Sequence, residues 1–249
     1  MCIAPCAMDP ITAIAASGLR ARMESLDMLA NNIANASTGG YKADREFYSL
    51  YMAPEAEDAG ESSVMPLIER PWTDLSQGAI QVTGNSLDVA LSGKGFFAVN
   101  GPGGTLYTRN GSFTTSASGD IVTTDGYQVR GTGGAALTLD ASLPVQVSGD
   151  GTVQQDASVV GQMEVVDFAD AGALGKQGAN YFTAGPAAVR TAVSTGVEQG
   201  KLEASNTGAA DAAVRLISVM RQFEMMQKAA SLADTMSQRA IDDVAKVGS

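Results

Sequence analysis

The chain has no histidine among its 249 residues. That absence removes the usual general base near neutral pH, every histidine-containing nucleophilic triad and every histidine-ligated zinc or iron site. Cysteine is nearly missing as well. Cys2 and Cys6 both precede Met8, and two thiolates alone do not close a zinc site. They stand in a tail (residues 1–8) expected to be disordered, with Met8-Asp9-Pro10 the more natural start, and read as incidental. Basic charge is scarce, with 16 Lys and Arg against 27 Asp and Glu and a net charge of −11. A nucleic-acid partner needs a basic stripe, so none is expected. No uninterrupted apolar run reaches the roughly eighteen residues of a membrane span. Residues 11–19 are apolar, but no basic region precedes them, so a cleavable secretory signal is not expected either.

What the chain does have is strong patterning at its two ends. Ala212, Leu216, Val219, Phe223, Met226, Ala230, Ala233, Ser237, Ala240, Val244 and Val247 follow alternating steps of four and three. That is an a/d seam sustained for about five heptads, with charged residues such as Arg215, Glu224 and Lys228 outside it. Leu19, Met23, Leu26, Ala30 and Ile33 repeat the logic near the N-terminus. The first helix is expected over residues 9–40, with Asp9 as N-cap, Pro10 at the first helical position and Gly39-Gly40 ending it. Alanine-rich seams bury little area, so a lone pair of such helices is marginal. Periodicity alone supports equally a hairpin closing one domain and a pair of helices meant for other chains.

The middle reads differently. Residues 41–83 are a linker containing a mobile acidic loop, 54–63, whose four carboxylates fit no calcium-binding EF-hand spacing. Residues 84–203 show short strand signals at 87–90, 96–99, 107–109, 112–115, 120–123, 127–130, 143–147, 152–154, 162–168, 181–183 and 197–203. Asn110-Gly111, Asp125-Gly126 and Asp150-Gly151 are tight-turn dipeptides, because Asn, Asp and Gly tolerate the positive φ that hairpins demand. The expected fold class is α+β: long terminal helices, the second over 204–249, pairing as a coiled-coil-like bundle, with a central all-β antiparallel domain.

Catalytic and cofactor motifs fail on inspection. Gly93-Lys94-Gly95-Phe96-Phe97-Ala98 satisfies a loose dinucleotide pattern, but that fingerprint needs a following helix to hold the pyrophosphate. Here it leads into a strand run and then Asn100-Gly101-Pro102-Gly103, so the glycines mark a strand bend. Asp150 with Asp156, or Asp167 with Asp170, carries no specific signal as a catalytic pair. Trp72 reads as a packing aromatic. No catalytic, metal or cofactor residue is assigned and no cofactor is expected.

Four stretches carry a family resemblance. Leu29-Ala30-Asn31-Asn32-Ile33-Ala34-Asn35 followed by Gly39-Gly40-Tyr41-Lys42 resembles the N-terminal signature of the flagellar basal-body rod and hook family. Gly84-Asn85-Ser86-Leu87-Asp88-Val89-Ala90-Leu91-Ser92-Gly93-Lys94-Gly95-Phe96-Phe97 resembles its first β motif, and Tyr107-Thr108-Arg109-Asn110-Gly111-Ser112-Phe113 its second. Gln199-Gly200-Lys201-Leu202-Glu203-Ala204-Ser205-Asn206 resembles the lead into its last helix. Two features depart from the pattern: the tail before Met8, and Thr207, where a branched apolar residue is commoner.

The resemblance implies a non-enzymatic axial subunit of the flagellum, partnered by like and unlike rod subunits and by the flagellar export apparatus. Its terminal helices would line an inner tube in the periplasmic rod. The compact middle argues against hook and hook-filament junction proteins, and the short link from Tyr41 to Gly84 favours the proximal over the distal rod branch. The assembly interface is expected at Leu19, Met23, Leu26, Ala30, Asn32, Ile33, Asn35, Leu216, Val219, Phe223, Met226, Ala230, Ala233, Ala240 and Val244. The asparagines are either polar contacts at a helix end or simple terminators. Two other classes remain as alternatives: a cell-wall hydrolase using paired carboxylates, and a binding module whose helices form a discrete dimer.

Overall fold

A computed structural model of the chain describes residues 10–46, 48–52, 64–68, 72–168, 172, 174–178, 180–185, 189–191 and 195–247. Cys2, Cys6, Asp9, Asp170 and the acidic loop 54–63 lie outside the described residues, as do the side chains of Ser237, Ala240, Val244 and Val247. The chain is α+β and divides into two compact units. The first comprises residues 1–33, 44–72 and 210–249, and the second residues 34–43 and 73–209.

The first unit holds α1 (Pro10–Ala34) and nearly all of α2 (Ala209–Val247). Pro10 opens α1 where its missing N–H costs nothing. Between the helices in sequence come the two-residue strand β1 (Asp44–Arg45), an antiparallel hairpin of β2 (Tyr48–Met52) and β3 (Val64–Ile68), and β4 (Trp72–Thr73). Trp72 is 48% exposed, which corrects its reading as a packing aromatic. A strand of two residues offers no face broad enough to cover an indole.

The second unit is an antiparallel β domain. Its main sheet contains β7 (Phe96–Gly101), β8 (Gly104–Thr108), β9 (Phe113–Thr115), β10 (Ile121–Thr123), β11 (Gln128–Val129), β15 (Val165–Phe168), β16 (Leu174–Gln177), β17 (Tyr181–Ala184) and β18 (Val189–Thr191). The order along it is β16-β17-β8-β7-β11-β10-β9, with β15 joining β7 to β18. A three-stranded sheet contains β12 (Val145–Val147), β13 (Thr152–Gln155) and β14 (Ser158–Gln162). Two pairs complete the unit. β6 (Val89–Ser92) lies beside β19 (Gly196–Gln199), and β5 (Ile80–Val82) beside β20 (Lys201–Glu203).

β7 is the spine of this unit. Its residues alternate between faces, as strand geometry requires. Phe97 and Val99 enter one core with Leu91, Phe113, Ile121, Val129 and Val153. Phe96 and Ala98 enter the other with Tyr107, Val166 and Phe182. Both faces are covered, so the strand reads as an uninterrupted apolar run rather than an alternating one. The rings meet edge-to-face: Phe97 on Phe113 at 5.1 Å, Phe96 on Phe168 at 5.4 Å and on Phe182 at 5.6 Å. This is the favoured aromatic geometry.

Two of the three expected turn dipeptides behave as hairpins. Gly126 (φ 85°) closes β10 onto β11, and Gly151 (φ 84°) closes β12 onto β13. Asn110-Gly111 is not a hairpin: β8 pairs with β7 and β17, while β9 pairs with β10. Gly111 is required for a close approach instead. A Cβ there would sit 1.6 Å from the Val89 carbonyl oxygen. The Gly93-Lys94-Gly95 segment is a bend between β6 and β7, with no helix after it.

Candidate assembly surface and the buried clasp

α2 carries apolar residues on two opposite faces. Ala212 is buried, and Leu216, Val219, Phe223, Met226, Ala230 and Ala233 are half-buried. At about 100° per residue, a second stripe of Val214, Ile217, Met225, Leu232 and Met236 falls on the opposite side. Those five side chains are 52–71% exposed. A shallow groove runs between Val214, Ile217, Ser218, Arg221, Gln222 and Met225. Within it Gln222 Oε1 is shielded from solvent and has no hydrogen-bond partner among the described residues.

α1 buries Gly18, Ala21, Ser25, Leu29 and Asn32, one position away from most of the stripe expected from the sequence. Leu19, Leu26, Ile33 and Asn35 are half-buried, while Met23 (56%) and Ala30 are exposed. Small residues explain the offset. A Cβ on Gly18 would lie 3.4 Å from Met226 Sδ, so the helices touch where α1 has no side chain. Ser25 Oγ donates to the Glu46 carboxylate. Asn32 acts as a clip: its Nδ2 donates to the Asp44 carbonyl at 2.8 Å and its Oδ1 accepts the Asp44 N–H at 3.0 Å. Both backbone groups are thereby satisfied, and Asn32 is a polar contact rather than a bare helix terminator.

The β domain contains a second constellation, which motif reading did not assemble. Lys42, Arg109 and Glu203 are each 1% exposed or less. Glu203 Oε1 accepts from Lys42 Nζ at 2.5 Å, and Oε2 accepts from Arg109 Nη1 at 3.1 Å. Lys42 Nζ also donates to the Ser76 carbonyl at 2.6 Å, and the Gly78 N–H donates to Glu203 at 2.9 Å. Burial pushes the Lys42 ammonium and the Arg109 guanidinium toward lower pKa, and the Glu203 carboxylate opposes both shifts. Around the charges the main chain is stitched. Gly40 N–H donates to Glu203 O at 2.8 Å, and Asn206 N–H to Tyr41 O at 3.2 Å. Asn206 Oδ1 accepts the Ala43 N–H at 2.8 Å, and its Nδ2 donates to the Asp74 carbonyl at 2.6 Å. Gly40 (φ 67°) admits this packing, because a Cβ there would stand 2.4 Å from the Arg109 carbonyl carbon. A charged residue inside each glycine-rich or apolar motif was the available signal.

Of the carboxylates considered for acid–base chemistry, Asp167 accepts the Phe168 N–H at 2.8 Å and Asp150 holds a turn. Asp150 accepts from Thr152 N–H at 3.0 Å and from Thr152 Oγ1 at 2.9 Å, which lowers its pKa. A general acid needs the opposite shift. Among the described residues no group of three or more Cys, Asp or Glu side chains is placed to hold a metal ion. No helix among them is long and apolar enough to cross a membrane.

Sequence comparison matches three family descriptions in order along the chain. "Flagella basal body rod protein" covers residues 13–42, "Flagellar hook protein FlgE/F/G D1 domain" residues 90–155, and "Flagellar basal body rod FlgEFG protein C-terminal" residues 198–243. The chain is 34% identical over 226 residues to the flagellar basal-body rod protein FlgF of Caulobacter vibrioides, spanning 89% of this chain and 92% of that one. It is 33% identical over 255 residues to FlgG of Agrobacterium fabrum, spanning 90% and 95%. It is 30% identical over 233 residues to FlgF of Mesorhizobium japonicum, spanning 89% and 93%. The chain therefore belongs to the flagellar basal-body rod protein family, is FlgF-like, and is a structural subunit of the rod at the flagellar basal body.

Proposed function

We propose that this subunit polymerises through α1 and α2 into the proximal rod in the periplasm, after passage through the flagellar export apparatus, and there transmits torque. The observation that carries the reading is the pair of opposed apolar stripes on α2. Covering one leaves the other bare, so a discrete dimer does not satisfy the helix. Head-to-tail contacts, in which one stripe meets a different patch on the next copy, extend into an open helical filament. In the rod, α1 and α2 pair in a coiled-coil-like seam through Leu216, Val219, Phe223 and Met226. The surrounding subunits cover Ile217, Met225 and Leu232.

Charge distribution favours the same arrangement. α2 balances Arg215, Arg221, Lys228, Arg239 and Lys246 against Asp211, Glu224, Asp234, Asp242 and Asp243, and α1 balances Arg20 and Arg22 against Glu24 and Asp27. The net charge of −11 therefore resides outside the helices. Neutral, mixed-sign helices pack side by side in a homopolymer without the self-repulsion an acidic stripe would bring.

The test is complementation of a strain lacking its own copy. Phe223→Asp and Ile217→Asp are each expected to leave the β domain folded and to abolish incorporation into rods. An aspartate costs several kcal/mol when its carboxylate is buried without a partner. Normal swimming by either variant would refute the proposal.

A further inference from the structure

We infer that Lys42, Arg109 and Glu203 are positioning residues, whose buried charges set the register of the two chain segments leading to the helices. Glu203 lies 161 residues from Lys42 and 94 from Arg109 in sequence. Each of the three matched regions of the chain contributes one member. The segment after α1 (residues 40–43) and the segment before α2 (residues 203–206) meet at this point and at no residue of regular sheet pairing with each other. No strand ladder joins the two segments directly, although β20 is in register with β5; two backbone bonds and the triad hold them together.

Three features argue that the triad specifies rather than merely stabilises. Two cations share the Glu203 carboxylate at hydrogen-bond distance, while Asp74 acts on Lys42 and Asp167 on Arg109 only through their charge. Arg109 Nε is buried without a hydrogen-bond partner among the described residues, and the guanidinium rests 5.0 Å over the Phe96 ring. Apolar side chains of similar volume commonly replace buried ion pairs at no loss of stability, whereas a charge that must find its partner tolerates only one alignment. A slip of one residue at position 203 would bury unpaired charge, and one at position 42 would take the ammonium away from Glu203 Oε1 and the Ser76 carbonyl. Leu202 or Ala204 in place of Glu203 leaves Lys42 and Arg109 unanswered, and Tyr41 or Ala43 in place of Lys42 removes a cation.

The test is amide hydrogen exchange on the purified full-length chain, which does not depend on rod assembly. A failure here is thus distinguishable from a failure of the polymerisation reading. In Glu203→Gln, the amides of Gly40, Ala43, Ala204 and Asn206 are expected to exchange about 100-fold faster or more, while those of Ala98 and Ile121 in the sheet keep their protection. A triple variant, Lys42→Met with Arg109→Met and Glu203→Met, removes the charges together. It is expected to melt no lower than the parent, yet to leave the same four amides unprotected. Exchange at those four amides within a few-fold of the parent in either variant overturns the inference. So does an equal loss of protection at those amides and in the sheet, which would make the triad part of the core. If Glu203→Gln does not fold, the triple variant decides alone.

Discussion

Gly111→Ala puts the close approach at residue 111 to a quantitative test. The added Cβ would lie 1.6 Å from Val89 O, 2.7 Å from its carbonyl carbon and 3.2 Å from Phe97 Cε2. An ordinary carbon–oxygen contact is about 3.3 Å or longer, so the two backbones must part by roughly 1.7 Å. That separation breaks the bond from Val89 N–H to Gly111 O, now 3.0 Å long. It also displaces Val89 and Phe97, both fully enclosed in the larger core. A buried polar group left unpaired costs about 1–3 kcal/mol and overpacking a further 1–3 kcal/mol. Lower entropy of the unfolded alanine chain returns about 0.4–1 kcal/mol. The expected loss is therefore about 1–5.5 kcal/mol, set against the roughly 5–15 kcal/mol that holds a domain. Gly103→Ala is the matched control, because a Cβ there meets nothing within 4 Å and its φ is not positive. Urea unfolding followed by near-UV circular dichroism of the tyrosines reads both. Stabilities of the two variants within about 1 kcal/mol of each other would refute the steric reasoning.

Other outcomes follow from local geometry. The β13–β14 turn places Asp156 and Ala157 at φ 46° and 65°. Ala157→Gly is expected to stabilise by about 0.5–1 kcal/mol, since relief of left-handed strain exceeds glycine's entropy cost; a lower urea midpoint would contradict this. The Tyr181 hydroxyl donates to Asp125 at 2.6 Å, and burial together with that bond raises its pKa well above 10. Above pH 10 the unfolded tyrosine ionises while the folded one keeps its proton. The folded state then binds more protons, and stability falls with rising pH by up to about 1.4 kcal/mol per unit. Tyr181→Phe should flatten that slope between pH 10 and 11.5, and an unchanged slope would show that Tyr181 does not set it. Asn206→Ala removes the side-chain bonds to Ala43 N–H and the Asp74 carbonyl. It should cost about 2–4 kcal/mol in the same urea assay, and a cost under 0.5 kcal/mol would mean that water replaces the side chain.

The sequence reveals local structure well and long-range convergence poorly. The run through Phe96, Phe97, Ala98 and Val99 announces a strand because both of its faces are apolar, and that is how β7 sits. Asp125-Gly126 and Asp150-Gly151 announce hairpins because the strands beside them pair with each other. Asn110-Gly111 carries the same kind of turn signal, but its neighbours pair elsewhere, and no local rule distinguishes the cases. β14 and β16 escaped notice: Ser158–Gln162 follows a turn built without glycine, and Leu174–Gln177 contains no β-branched residue. On α1 the large side chains marked a stripe, while the face actually buried carries Gly18, Ala21 and Ser25, because closeness to Met226 requires small residues. Lys42, Arg109 and Glu203 each stand as a charge inside a glycine-rich or apolar motif, but no single window of sequence shows that the three meet.

The meeting of residues 40–43 with 203–206 also bears on how such a chain can diversify. A polypeptide that enters and leaves a domain at one point carries everything between as a closed loop. Lengthening a flexible loop costs only about 0.6 kcal/mol per doubling. The outer body can then be enlarged, trimmed or exchanged while the helices that flank it keep their sequence. One pair of ends can serve many middles.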